Sequence, residues 1–176
     1  MADKQDDLRR SHVEDAIAAE KHLETRLRDF ASGCDDDEIK ETFFAYAGKA
    51  HEHHEKLVEL FHPADAPSNG KTLAARLFGP VPVSTQTGFI QEERTVQYLI
   101  MAYTSAAAAA ALYETLVAPD GDRFSLGPVF QADHAHMAEK LFHLIPTRSI
   151  IAYNMLTVAE IDPSVETKVG EASWIS

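Results

Sequence analysis

The stretch SHVEDAIAAEKHLETRLRDFA, residues 11 to 31, decides the fold class. Val13, Ala16, Ile17, Glu20, Leu23, Glu24, Leu27 and Phe30 recur at three- and four-residue intervals, the period of one face of an α-helix. The pattern begins near Gln5, and Gly33 stops it. Two positions on this otherwise apolar stripe are glutamates. A carboxylate there must either turn to solvent or find a partner inside.

Helical period dominates the rest of the chain. Asp35, Asp36, Asp37 and Glu38 supply N-capping oxygens and favourable dipole charge for a second helix. Its apolar face carries Ile39, Phe43, Tyr46, Ala47, Ala50, His53, His54, Leu57 and Phe61, and His62-Pro63 ends it. A third helix runs from about Gly88 to Val117, apolar nearly all round through Tyr98 to Ala102 and through the alanine run Ala106 to Ala111. A fourth, Leu126 to Ile145, presents Leu126, Val129, Phe130, Asp133, His136, Met137, Leu141 and Leu144, with Pro146 expected to close it. One further short helix is expected over Arg148 to Val158. Between the second and third helices, Pro63, Pro67, Gly70, Gly79, Pro80 and Pro82 break the chain, leaving a short helical pattern over Lys71 to Phe78. No segment has useful strand period. These lengths predict an all-α, ferritin-like four-helix bundle with a long crossover between its second and third helices and a short C-terminal helix. Residues 1–162 form the domain and 163–176 a tail.

Composition narrows the function classes. A chain of 176 residues with 45% hydrophobic content supports one sizeable core. Lys and Arg number 16 against 28 Asp and Glu, a net charge of −12, which repels phosphate backbones and predicts no nucleic-acid partner. No apolar run is read as approaching the ~18 residues of a membrane span, and the N-terminus lacks the basic and apolar regions of a signal peptide. A cytoplasmic protein without a membrane partner is the expectation. Cys34 is the single cysteine, so no intrachain disulfide can form. Because the third helix is apolar around most of its circumference and its alanines permit close approach, a homodimer is expected.

In bundles with this connection, metal ligands come as one carboxylate each from the first and third helices and a Glu-x-x-His pair each from the second and fourth. Here the first helix offers Glu20, the second Ala50-x-x-His53, the third only alanine, and the fourth Asp133-x-x-His136. The run His51-Glu52-His53-His54-Glu55 faces every direction, so the functional candidates in it reduce to His53 or His54. The predicted site is therefore Glu20, His53 or His54, Asp133 and His136, suited to one ion of iron, manganese or zinc rather than two. His134 and His143 read as surface or boundary residues. Two other functions fit the same residues: a metal-free bundle working through self-association or a partner, and an iron-dependent oxidase whose alanine-lined third helix leaves room for a small organic substrate.

The segment Asp15-Ala-Ile-Ala-Ala19-Glu20-Lys21-His22-Leu23 resembles the opening helix of a bacterial stress-associated ferritin-like family. Arg94, followed by an apolar helix ending in Tyr113-Glu-Thr-Leu116, resembles that family's third helix. The resemblance runs loosely from residue 8 to 145. It implies a ferritin-like bundle with the architecture of di-iron proteins, a stress-related role, and Glu20 as the carboxylate of the first helix. The chain departs from the family where glutamates are expected around Ala106 and Ala109, so a ferritin-type ferroxidase centre is not expected.

Overall fold

The computed structural model describes residues 2–62, 91–120 and 125–161. They form α1 (Ala2–Ser32), α2 (Asp37–Phe61), α3 (Gln91–Asp120) and α4 (Gly127–Ile161), with no strand among the described residues. The expected crossover with its Lys71 to Phe78 pattern, and the tail from 163, lie outside the described residues.

The α1–α2 corner shows why these helices end where they do. Gly33 sits against Tyr98, and a Cβ there would lie 2.8 Å from the tyrosine hydroxyl oxygen, so any larger residue forces the ring to move. Asp36 then caps α2, its Oδ1 accepting from the Ile39 amide at 3.1 Å. Asp37 and Glu38 place negative charge at the positive end of the helix dipole. At the far end His62 takes a left-handed conformation (φ 41°), and its N–H donates to the Val58 carbonyl at 3.0 Å.

Pairs of side chains fix the helix directions. Phe30 meets Phe43 and Glu20 meets His53, so α2 is antiparallel to α1. Phe30 stacks on Tyr98 at 4.9 Å and Glu20 meets Tyr113, so α3 is also antiparallel to α1. Tyr103 on Phe142 and Tyr113 on Phe130 make α4 antiparallel to α3. It follows that α2 and α3 run parallel and begin at the same end, where Gln91 Nε2 donates to the Gly33 carbonyl at 2.8 Å. The last residue of α2 and the first of α3 therefore lie at opposite ends of the bundle.

The core between them contains Leu23, Leu27, Phe30, Ile39, Phe43, Leu57, Leu99, Phe130, Met137 and Leu141, all buried. Apolar side chains of this size contribute roughly 1.5–3 kcal/mol each when fully buried. The α1 and α2 stripes are those the sequence spacing predicts, with Tyr46, His54 and Phe61 at the partly buried margin. The α4 stripe differs. Phe130, His134, Met137, Ala138 and Leu141 face inward, while Val129 is 53% exposed and His136 lies outside.

Two expectations need correction. The chain carries no charge from Thr95 to Tyr113, and α3 is, by length and composition, apolar enough to cross a membrane over Gln91–Val117. Here Leu99, Ala102, Ala106, Ala109 and Leu112 are buried in the bundle, which accounts for the composition as that of a core helix. The fourth helix also does not stop at Pro146 but continues through it to Ile161, taking in the separate helix expected over Arg148 to Val158. A proline removes one amide donor and clashes with the preceding turn, but contacts beyond it hold the helix in register. Ala152 is buried, Ser149 Oγ donates to the Ile145 carbonyl at 2.9 Å, and Arg148 Nε lies 2.8 Å from Asp36 Oδ2 while its Nη2 reaches Glu38.

Because Pro146 is exposed within a continuous helix, Pro146→Ala restores the missing amide without opening a cavity. The expected gain is ~1–3 kcal/mol in unfolding free energy, read by urea titration. No gain would mean that the helix ends at the proline after all.

Candidate metal centre

Glu20 lies in mid-α1, on the stripe between Ala16 and Leu23, and its side chain is fully enclosed. A lone buried carboxylate is costly, so its surroundings must supply donors. They come from the three other helices and converge on one atom. Glu20 Oε1 accepts from the Tyr113 hydroxyl of α3 at 2.6 Å. His134 Nε2 of α4 lies 2.7 Å from the same oxygen, and His53 Nδ1 of α2 lies 3.3 Å from it. Burial raises the Glu20 pKa, but the charge and hydrogen bonds of His134 and then of His53 outweigh it, and the net result is a carboxyl lowered from an ordinary 4.5 to about 2. Burial, and then the Glu20 charge and hydrogen bond, push the Tyr113 phenol well above its usual range. Tyr113 is thus a donor.

The aromatic rings wall the site. His53 stacks on Phe130 at 4.0 Å and meets the His134 ring edge-on at 5.2 Å, while Tyr113 stacks on His134 at 5.5 Å. Outside this wall Asp133 Oδ2 sits 3.0 Å from His53 Nε2, with its side chain 36% exposed. Lys49 Nζ approaches Asp133 at 3.9 Å. His53 therefore has a carboxylate at each ring nitrogen.

Among the described residues, two buried atoms at this site have no hydrogen-bond partner: Glu20 Oε2 and His134 Nδ1. Such atoms cost about 1–3 kcal/mol each if left unsatisfied. Glu20, His53 and His134 offer one carboxylate oxygen and two imidazole nitrogens, all within 4.8 Å of one another. Two imidazoles and one carboxylate suit a first-row transition ion such as iron or zinc. Asp133 on the far nitrogen of His53 is the kind of outer partner that orients a metal-bound imidazole. Tyr113 does the same for the Glu20 carboxylate.

Of the predicted site residues, the structure brings together Glu20 and His53, with Asp133 beyond His53 rather than in the cluster. His54 is turned to the margin, its Nδ1 3.4 Å from Glu55. His136 is exposed and only 3.9 Å from Glu139, on the solvent side of α4. His134, expected at the surface, is buried in the centre of the site. One residue of register explains the exchange: anchoring the stripe on Val129 turns Asp133 and His136 inward, whereas anchoring it on Phe130, Met137 and Leu141 brings His134 in. Spacing alone does not mark Tyr113 as a site residue. Its place in the buried series Ala102, Ala106, Ala109, Tyr113 shows that it faces inward, but not what its hydroxyl meets.

The depressed Glu20 pKa has a definite consequence for stability. A carboxyl at about 2 when folded and 4.5 when unfolded contributes stability that is complete above pH 4.5 and is lost as pH falls towards 2. The size is ~3 kcal/mol by the proton-linkage relation. Urea titrations of the wild type and Glu20→Gln across this window should show the wild type losing that much more stability; parallel losses would show that Glu20 is not held as described.

No protein-family model, curated protein or solved structure is similar enough to the chain to count as a match.

Proposed function

We propose that this protein is a ferritin-like bundle that binds one divalent transition-metal ion in its core, through Glu20, His53 and His134. The observation that carries the reading is the convergence of two imidazole nitrogens from α2 and α4 on a buried α1 carboxylate whose second oxygen has no partner. The helix directions, with α2 and α3 parallel, agree with a ferritin-like connection. Charge supports a divalent ion: Glu20 and Asp133 together neutralise it when both histidines are neutral. The alanines of α3 argue against a second ion, because bridging carboxylates from opposed helices are what a dinuclear centre needs. A homodimer remains part of the proposal, with Ile100 and Phe142 as exposed apolar side chains available on α3 and α4.

An oxidase acting on an organic substrate fits less well. His53 and His134 are 1% and 0% exposed, so neither ring offers a face to a molecule in solution. A cavity of 260 Å³ lined by Asp35, Asp36, Gln91, Glu92, Thr95, Arg148 and Ile151 lies at the end of the bundle. It is about 25 Å from His53 along α2 at the rise of a helix, too far to serve this site. The metal-free alternative has one observation in its favour: Glu20 Oε1 already accepts three hydrogen bonds.

Cobalt(II) distinguishes them. Desalted wild-type protein should retain about one Co(II) per chain and, with free ion at about 100 times its dissociation constant, gain ~2.7 kcal/mol of stability. Glu20→Ala, His53→Ala and His134→Ala should each abolish retention, while His54→Ala and His136→Ala should leave it intact. Retention that follows His136, or no retention in the wild type, overturns the proposal.

A further inference from the structure

We propose that the site takes ferric iron as well, with the phenol oxygen of Tyr113 as a fourth ligand beside Glu20, His53 and His134. The inference rests on the metal-binding reading above. Its geometric basis is that the Tyr113 oxygen reaches the same Glu20 Oε1 as the two imidazole nitrogens, at 2.6 Å against 2.7 and 3.3 Å. Separations of roughly 3 Å are those expected between neighbouring ligand atoms that each lie about 2.0–2.2 Å from one ion. Tyr113 is held in this place by its stack on His134 and its edge contact with Phe130 at 5.7 Å.

Charge supplies the second argument. A sealed site tolerates little net charge. With a divalent ion, Glu20 and Asp133 already balance it, and Tyr113 remains a neutral phenol. A ferric ion adds one positive charge, and Tyr113 is a hydroxyl at the site whose proton can leave to cancel it. Lys49, 45% exposed, lies 3.5 Å from Glu52 and 3.9 Å from Asp133, so its charge is shared with the nearer Glu52 at the solvent side. The step forms one iron–oxygen bond and breaks the Tyr113 O–H bond, with the proton released to buffer. Iron enters as the ferric ion, so no electron is transferred. A hard, anionic oxygen donor favours the trivalent ion over zinc or cobalt(II), which gives the site a preference by oxidation state that the three other ligands do not provide.

The test uses full-length protein loaded with ferric nitrilotriacetate and desalted, read by visible absorption and resonance Raman scattering. The expected result is one retained iron per chain, a visible phenolate-to-iron charge-transfer band, and resonance-enhanced tyrosinate ring modes. Tyr113→Phe should lose the band and lose ferric iron more readily, relative to Co(II), than the wild type does. If that variant fails to fold, the Raman modes of the wild type still decide between a tyrosinate and another ligand. Iron retained without the band, a band that persists in Tyr113→Phe, or Co(II) retained where ferric iron is not, each overturns this inference alone. Failure of the wild type to retain Co(II) overturns it together with the reading it rests on.

Discussion

A single oxygen, Glu20 Oε1, is where the four described helices meet. Tyr113 from α3, His53 from α2 and His134 from α4 each place a polar atom within 3.3 Å of it. Hydrogen bonds to an ionised acceptor are stronger than neutral ones, and in a sealed interior little water competes with them. The same enclosure makes the arrangement unforgiving. Removing one partner leaves buried polar atoms uncompensated, a change that typically costs 3–5 kcal/mol for a buried charge. The apolar core makes the bundle collapse; the carboxylate joins the described helices at one point.

Small residues make this meeting possible. Ala16 and Ala19 on α1, Ala47 and Ala50 on α2, and Ala106 and Ala109 on α3 are all buried, and short side chains let the helix backbones approach. Imidazole and phenol groups can then span what remains. The alanine run, which in sequence reads as the absence of a carboxylate, works in the structure as the packing surface from which Tyr113 projects. Its hydroxyl is what α3 contributes to the site.

The sequence made some of this legible and hid the rest for physical reasons. Glu20 could be placed because the α1 stripe around it is unambiguous, and a carboxylate inside such a stripe demands a partner. His53 and His54 both fall within a helical face about 100° wide, so spacing alone could not separate them. The stack of His53 on Phe130 and its contact with Glu20 show which one enters the core. On α4 the exposed Val129 pulled the apparent stripe round by one residue, which turned His136 inward and His134 outward. Pro146 was a reasonable stop signal from local geometry, and the Arg148 ion pairs with Asp36 and Glu38 that hold the helix beyond it are contacts between residues more than a hundred positions apart. Local patterns do not carry such contacts.

The central claim is that the Glu20 cluster is a metal centre as well as a structural junction. A crystal of the wild-type protein soaked in Co(II), with anomalous scattering recorded at the cobalt edge, tests it most directly. The account predicts one strong peak about 2.0–2.2 Å from a Glu20 carboxylate oxygen and from a ring nitrogen of each of His53 and His134. A map with its peaks only at surface groups such as His136 and Glu139, and none within the cluster, would contradict it.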